Sequence, residues 1–361
     1  MLAYRAAMRS RLIPSVLAGL VAVGCGGGGS STPSGPTEPP VPTYSVNATV
    51  FYDENGNGQL DSSEAVRVPG VDVVIGTGSG KSAASSGVAQ VTGIREGSQQ
   101  VSVRTESLPT YYQTLPQFAT TVQVPGGASE VRVPLALQIG NNQANVYFGY
   151  GDSITAGDGS SDKQGYAIKL QNLLGPHFGR AQVDKFGRSG TTSASGLERA
   201  PAWIPRAKAA YVLILYGTND WHDTTCQNKG PEACFTVDML REMVDITRSL
   251  DSLPVLGTLP PVNPAKAPDG RNTWIDQMNV RIKAMALQQQ VLLADVNAEF
   301  KASSGGLPPL YSDDVHPNDA GYQVLAQAWF KAITRARSSA ASAADRGLFG
   351  FSGLGSTGRW R

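Results

Sequence analysis

The chain has 361 residues, enough for two domains that each bury a hydrophobic core. Its 30 Lys and Arg balance 29 Asp and Glu to a formal net charge of +1, so no cationic surplus is available to neutralise a phosphate backbone, and nucleic acid is excluded as an expected partner. A small-molecule or polymeric substrate remains.

In chain order, Arg5, Arg9 and Arg11 lead an apolar stretch from Leu12 to Val23, followed by Gly24 and Cys25. Basic, apolar, small is the order of an export signal, and the apolar stretch is too short to span a bilayer. The small residue before Cys25 resembles the lipobox of bacterial lipoproteins, in which the cysteine is lipidated and becomes the new amino terminus, although Ala22 stands where a larger aliphatic is usual. Residues 1–24 are therefore expected to be a lipoprotein-type signal peptide. The protein is expected to be exported and held at the membrane of a bacterial cell envelope through Cys25, or else secreted or periplasmic. Residues 25–43 are rich in Gly, Ser and Pro, without apolar periodicity, and read as an unfolded tether.

From 44 to 138, short β-prone runs alternate with turn signals: VNATVFY, VRVPGVDVVIG, QQVSVRT, TTVQVPGG and EVRVPLAL. No stretch has helical periodicity, which predicts an all-β sandwich. Within it lies DENGNGQLDSSE. Asp53, Asn55, Asn57, Asp61 and Glu64 stand at positions 1, 3, 5, 9 and 12 of a calcium loop, Gly58 at position 6 supplies the sharp turn, and Gln59 at position 7 offers its carbonyl. A hard cation needs six or seven oxygens from a short loop, and alternate residues point inward only where a glycine lets the chain turn. With its strand flanks, this segment resembles the calcium-bearing B-type repeats of Gram-positive surface adhesins. The resemblance implies a structural Ca²⁺; the bland alternative is an Asn/Gly/Asp-rich hairpin that binds nothing.

After 144 the pattern changes to strands alternating with helices, which predicts a parallel sheet covered on both faces. NVYFGY (Asn145 to Tyr150) is a strand ending at GDSIT, so Ser153 falls at a strand's carboxyl end, where ligands bind in such sheets. GYAIKLQNLLG predicts a helix closing at Gly175. AYVLILYG is a buried strand, and Cys226 and Cys234 then bracket a polar loop, either as a small disulfide in an oxidising compartment or as two unpaired thiols. DMLREMVDITRSL follows as a helix with Leu240, Met243, Val244 and Thr247 on one face. PVLGTLPP (Pro254 to Pro261) is a strand, WIDQMNVRIKAMALQQQ a helix, VLLADV a strand and GYQVLAQAWFKAI the last helix.

The polar residues at the strand ends form four groups: GDSIT (from Gly151), GRSGTTS (from Gly187), GTND (from Gly217) and SDDVHPNDAGY (from Ser312). Together, in this order, they resemble the sequence blocks of the SGNH or GDSL hydrolases over about Asn145 to Ile333. The resemblance implies a three-layer α/β/α, flavodoxin-like domain over 144–337. It also implies an esterase acting on acetylated polysaccharide, short acyl esters or lysophospholipid. Ser153 matches the family nucleophile, Asp313 and His316 its acid and base, and Gly190 and Asn219, with the Ser153 N–H, its oxyanion hole. The chemistry needs these types, because a serine hydroxyl attacks only when a base removes its proton, and a carboxylate must fix the tautomer of an imidazole base. No cofactor or metal is expected for this chemistry.

Alternatives stand beside these assignments. His222 in NDWHD is a second candidate base and Asp314 a second candidate acid, while His177 in GPHFG reads as a surface or loop residue. Trp221 and His222 are candidates to shape the pocket. Lys185 stands where relatives carry Asn, which puts local loop geometry in question. The rival functions are an acyltransferase using the same residues and a surface binding protein whose site is silent. Residues 338–361 read as a disordered tail, and no sequence feature specifies an oligomeric state.

Overall fold

The computed structural model describes residues 40–115, 118–128 and 130–336. The expected signal peptide, Cys25, most of the tether and the tail lie outside the described residues.

The first region is all-β. Its strands are β1 (Tyr44–Tyr52), β2 (Asp72–Ile75), β3 (Gly78–Lys81), β4 (Val88–Ile94), β5 (Gly97–Val103), β6 (Gln113–Thr114), β7 (Thr120–Val124) and β8 (Glu130–Ala136). They run β6-β8-β1-β4-β3-β2-β5-β7, antiparallel except that β8 lies parallel to β1. Between β3 and β4 the pairing narrows to Ser79 opposite Thr92. Alternate residues from both sides of that narrowing, Val46, Ala48 and Val50 of β1 with Val73 and Ile75 of β2, enter one core. The two halves are thus the leaves of the expected sandwich, each apolar on one face.

The second region carries β9 (Gln143–Gly151), α1 (Ser153–Ala156), α2 (Tyr166–Phe178), β10 (Gln182–Gly187), α3 (Ser193–Ala207), β11 (Ala209–Leu215), α4 (Thr224–Asn228), α5 (Thr236–Ser249), β12 (Leu253–Gly257), α6 (Arg271–Gln288), β13 (Leu292–Ala294), α7 (Val296–Lys301) and α8 (Asp319–Thr334). All five strands are parallel, in the order β10-β9-β11-β12-β13. Counted within this domain the order is 2-1-3-4-5, the doubly wound flavodoxin-like arrangement. Strand residues alternate between faces, so Val146, Phe148, Tyr150, Val212 and Ile214 pack with α3, α5 and α6, while Tyr147, Tyr211 and Leu213 pack with α2, α7 and α8. The domain is the expected α/β/α sandwich.

Several elements differ from expectation for physical reasons. Helix α2 does not stop at Gly175 but continues through Pro176 to Phe178, and Gly179, at φ +82°, provides the left-handed cap. His177 is therefore helical and half-buried between Phe178 and Phe330, and burial lowers its pKa. The strand expected to reach Pro261 ends at Gly257: the Thr258 amide still donates to Ala294 O at 3.0 Å, but the Leu259 amide turns to the Asn279 side chain, and Pro260 and Pro261 have no N–H to resume a ladder. Helix α3 contains Pro201 and Pro205, which hid its periodicity.

The two regions share one core. Tyr112 stacks on Phe178 at 6.4 Å, the Arg67 and Ser85 amides donate to the Phe178 and His177 carbonyls, and the Tyr111 hydroxyl donates to Pro254 O at the start of β12. Phe178 is 1 % exposed. Phe178→Ala is expected to cost about 3 to 5 kcal/mol and to lower the melting of both regions together in a calorimetric scan. An unchanged β-region transition would contradict the shared core.

Candidate active site

Position follows from the sheet. Strand β9 lies between β10 and β11, where the direction of winding reverses, and in such sheets the crevice beyond the carboxyl ends at this point is the ligand site. The turn after β9 is tight: a Cβ on Gly151 would lie 2.1 Å from Thr155 Oγ1 and 2.5 Å from the Leu215 carbonyl, so a side chain is excluded there. Asp152 caps the turn by accepting the Ile154 N–H at 3.0 Å. Ser153 follows, 5 % exposed.

The loop before α8 brings the partners. His316 Nε2 lies 2.9 Å from Ser153 Oγ, and His316 Nδ1 lies 2.7 Å from Asp313 Oδ2. With the Nδ1 proton donated to the carboxylate, Nε2 presents its lone pair to the serine hydroxyl. Asp313 Oδ1 also accepts the His316 and Val315 amides at 2.6 and 2.9 Å. Partial burial opposes ionisation of Asp313, but the His316 amide, the His316 ring and the Val315 amide outweigh it and hold the carboxyl below its ordinary range. His222, by contrast, is exposed at the end of a 3₁₀ turn, and Asp314 pairs with Arg271 at 3.5 Å rather than with an imidazole. Trp221, a candidate to shape the pocket, packs edge-on against Trp274 with ring centroids 5.8 Å apart.

Gly190 lies at φ +72°, which favours glycine, with nothing within 4 Å of where a Cβ would stand. Asn219 Nδ2 donates to the Thr191 carbonyl at 3.0 Å, tying its loop to that of Gly190. Neither the Ser153 nor the Gly190 N–H finds an acceptor among the described residues. A residue not singled out from sequence holds this region together: buried Asp220 accepts the Ser193 amide at 2.8 Å, the Ser193 hydroxyl at 2.6 Å and the Thr236 hydroxyl at 2.5 Å. Burial raises its pKa, and these three donors oppose the rise. The only sequence signal was its place directly after Asn219.

Lys185, which stands where the resembled pattern has Asn, donates to the Ala156 carbonyl and, at 2.7 Å, to Lys163 O, bracing the segment after the Ser153 turn. Burial lowers its pKa, with Asp162 and Asp158 opposing. Cys226 and Cys234 form a disulfide with Cα atoms 4.4 Å apart, and Cys234 Sγ lies 3.1 Å from the Thr236 hydroxyl that serves Asp220.

In the β region, Asp53 and Glu64 are 3 % and 2 % exposed. Asp53 accepts the Gly56, Asn57 and Gly58 amides, Glu64 those of Glu54 and Asp61, and Asp61 Oδ2 takes the side-chain amides of Asn55 and Asn57. Asn57 Oδ1 accepts the Gln59 amide at 2.6 Å. Burial, then Glu54, Asp53 and Glu64, push the Tyr52 hydroxyl up to about 12, marking a concentration of negative charge. The donors suit a hard cation in type and order, although no three carboxylate, imidazole or thiolate groups converge on one point among the described residues.

Residues 150–324 match the model of the GDSL-like Lipase/Acylhydrolase family. Over 70 residues the chain is 41 % identical to Esterase TesA of Pseudomonas aeruginosa; this covers 19 % of the chain and spans 35 % of that esterase. Similar solved structures include a proposed GDSL-like lipase from Parabacteroides merdae, at TM-score 0.46 and 20 % identity over 54 % of this chain and 98 % of that one. Another is an acetylxylan esterase from Geobacillus stearothermophilus, at TM-score 0.44 and 24 % identity over 56 % of this chain and 100 % of that one.

Asp152 yields a pH prediction. Burial, with a smaller contribution from Asp220, pushes its carboxyl up to about 7 against the hydrogen bond from Ile154, and its Oδ2 has no partner among the described residues. The folded state therefore holds this proton at pH values where the unfolded chain has lost it, so stability falls as pH rises from about 4 to about 7 and stays reduced above. Asp152→Asn is expected to gain on the order of 2 to 4 kcal/mol at pH 8 and little at pH 4, measured by denaturant unfolding. A gain independent of pH would contradict a buried, titrating carboxyl.

Proposed function

We propose, from the match of residues 150–324 to the GDSL-like lipase/acylhydrolase family model, that this chain is an exported serine esterase that hydrolyses carboxylic esters through an acyl-Ser153 intermediate. The observation that carries the reading is the relay Ser153–His316–Asp313, with hydrogen bonds of 2.9 and 2.7 Å. The local likeness to an esterase supports the ester class.

The relay geometry supports the following mechanism. His316 Nε2 takes the hydroxyl proton as Ser153 Oγ attacks the ester carbonyl, and Asp313 stabilises the imidazolium that forms. The negative oxygen of the tetrahedral intermediate is received by the Ser153 and Gly190 N–H groups and by the Asn219 amide hydrogen not engaged with Thr191. Such donors act without reorganising, and loss of one costs on the order of 3 kcal/mol in barrier height. His316 then protonates the leaving alkoxide. In the second half the same nitrogen takes a proton from the water that attacks the acyl carbonyl and returns it to Ser153 Oγ as the carboxylic acid leaves.

Export is supported by the basic-then-apolar amino terminus and by the Cys226–Cys234 disulfide, since such bonds persist in oxidising compartments. The reading includes a lipid anchor at Cys25 and a structural Ca²⁺ in the 53–64 loop, with Asp53, Asn55, Asn57, Gln59, Asp61 and Glu64 as its oxygen donors. That ion has no part in the hydrolysis.

Two measurements test these proposals. Hydrolysis of p-nitrophenyl acetate and longer acyl esters should fall by about 10³-fold or more in Ser153→Ala; turnover equal in both proteins would remove Ser153 from the chemistry, and acyl transfer to an added alcohol with no hydrolysis would identify a transferase. For the loop, 1 mM Ca²⁺ should raise the melting temperature over that in EDTA, and Asp53→Ala should abolish the rise. No Ca²⁺ shift in the wild type would make the loop a plain hairpin.

A further inference from the structure

Arg271 opens helix α6 with a side chain that is 2 % exposed, in a region outside the four sequence blocks. Its Nη2 donates to the Thr218 carbonyl at 3.3 Å, and its Nη1 lies 3.5 Å from Asp314 Oδ2. The first contact is to the residue before Asn219. The second is to the residue after Asp313, two before His316. One buried cation thus touches both the loop that carries an oxyanion donor and the loop that carries the acid and base.

The neighbouring contacts make that placement rigid. Asn272, the next residue of α6, exchanges two hydrogen bonds with Val262, at 2.8 and 3.0 Å. Asn263 in turn donates its amide to Asp314 O at 2.8 Å and its side chain to Asp313 O at 3.2 Å. Asn272 in the first turn of α6 therefore fixes Val262, its neighbour Asn263 holds the acid loop, and Arg271 pairs with Asp314 of that same loop. The planar, forked guanidinium can serve two acceptors in different directions, which an ammonium on a flexible stem does poorly.

Charge gives a second reason for the residue. Asp313 and Asp314 are adjacent carboxylates on one short loop, so either one is placed by the chain to reach the imidazole two or three residues on. Pairing Asp314 with a cation leaves Asp313 free to accept from His316. Burial of a guanidinium is costly unless it is paired; here the Thr218 carbonyl and Asp314 hold it, with Nε alone lacking a partner among the described residues.

We propose that Arg271 is a positioning residue for the hydrolysis: it joins the Asn219 loop to the Asp313–His316 loop and takes Asp314 out of competition for the imidazole. The inference rests on the esterase reading above. The test compares wild type, Arg271→Met, Arg271→Lys, Asp314→Asn and the double variant Arg271→Met/Asp314→Asn with p-nitrophenyl acetate, with active sites counted by covalent titration and melting recorded for each. Arg271→Met should lose about 10- to 100-fold in kcat with KM within about 3-fold, as expected when reacting groups shift without loss of substrate contacts. The double variant should be no slower than Arg271→Met alone, because both changes remove one link. Should the Met variant fail to fold, Arg271→Lys carries the test, with an expected loss of about 10-fold in kcat.

Wild-type kcat per titrated site in the Met variant, or in the Lys variant where Met does not fold, would overturn the positioning role, as would strictly additive losses in the double variant. Absence of ester turnover in the wild type itself would instead overturn the esterase reading.

Discussion

Ser153 has to be presented at the mouth of the sheet while remaining almost wholly packed, and the rest of the site is arranged around that constraint. Its hydroxyl lies 2.9 Å from His316 Nε2, so rotation of either side chain is restricted by the turn beneath and the loop above. The turn is compact enough that Gly151 tolerates no Cβ. The loop after it is braced by Lys185, by the Ser189 hydroxyl on Asp158 at 2.5 Å and by the Tyr322 hydroxyl on Asp158 O at 2.6 Å. Orientation of this kind would supply much of what the proposed hydrolysis needs before any chemistry begins.

The polar residues beneath the site are where the fold departs from an apolar core. Asp152, Asp220 and Arg271, the last at the start of α6, are all buried against the loops that frame Ser153. An ordinary core would place apolar side chains there at lower cost. Asp220 joins the Gly190 and Asn219 segments through Ser193, and the nearby disulfide closes the excursion that returns the chain to Thr236. Stability is thus exchanged for fixed geometry in the loops that carry the proposed oxyanion donors.

Much of this was legible in the sequence. Runs such as AYVLILY are apolar throughout because strand β11 is buried on both faces, and the four polar groups stand out at the ends of such runs. The relay residues were legible because GDSIT and DDVHP are short, ordered motifs. Other features depend on contacts between distant residues, which a linear pattern does not display. Arg271 reads as an ordinary helix residue until Thr218 and Asp314 are brought to it, and Asp220 reads as a turn residue until Ser193 and Thr236 surround it. Two prolines mask the periodicity of helix α3, and α2 runs past the glycine that its pattern ends on because Gly175 is helical and Gly179 is the cap. The union of the two regions through Tyr112 and Phe178 was also invisible, since each reads locally as part of its own domain.

The central claim is that Ser153 becomes acylated. Its most direct test is to treat the folded protein with an organophosphonate ester and map the modified peptide by mass spectrometry, alongside His316→Ala. The account predicts a single adduct on Ser153 in the wild type and slowing by at least about 10³-fold without the imidazole. An adduct at another residue, or ester turnover that persists after Ser153 is fully modified, would contradict it.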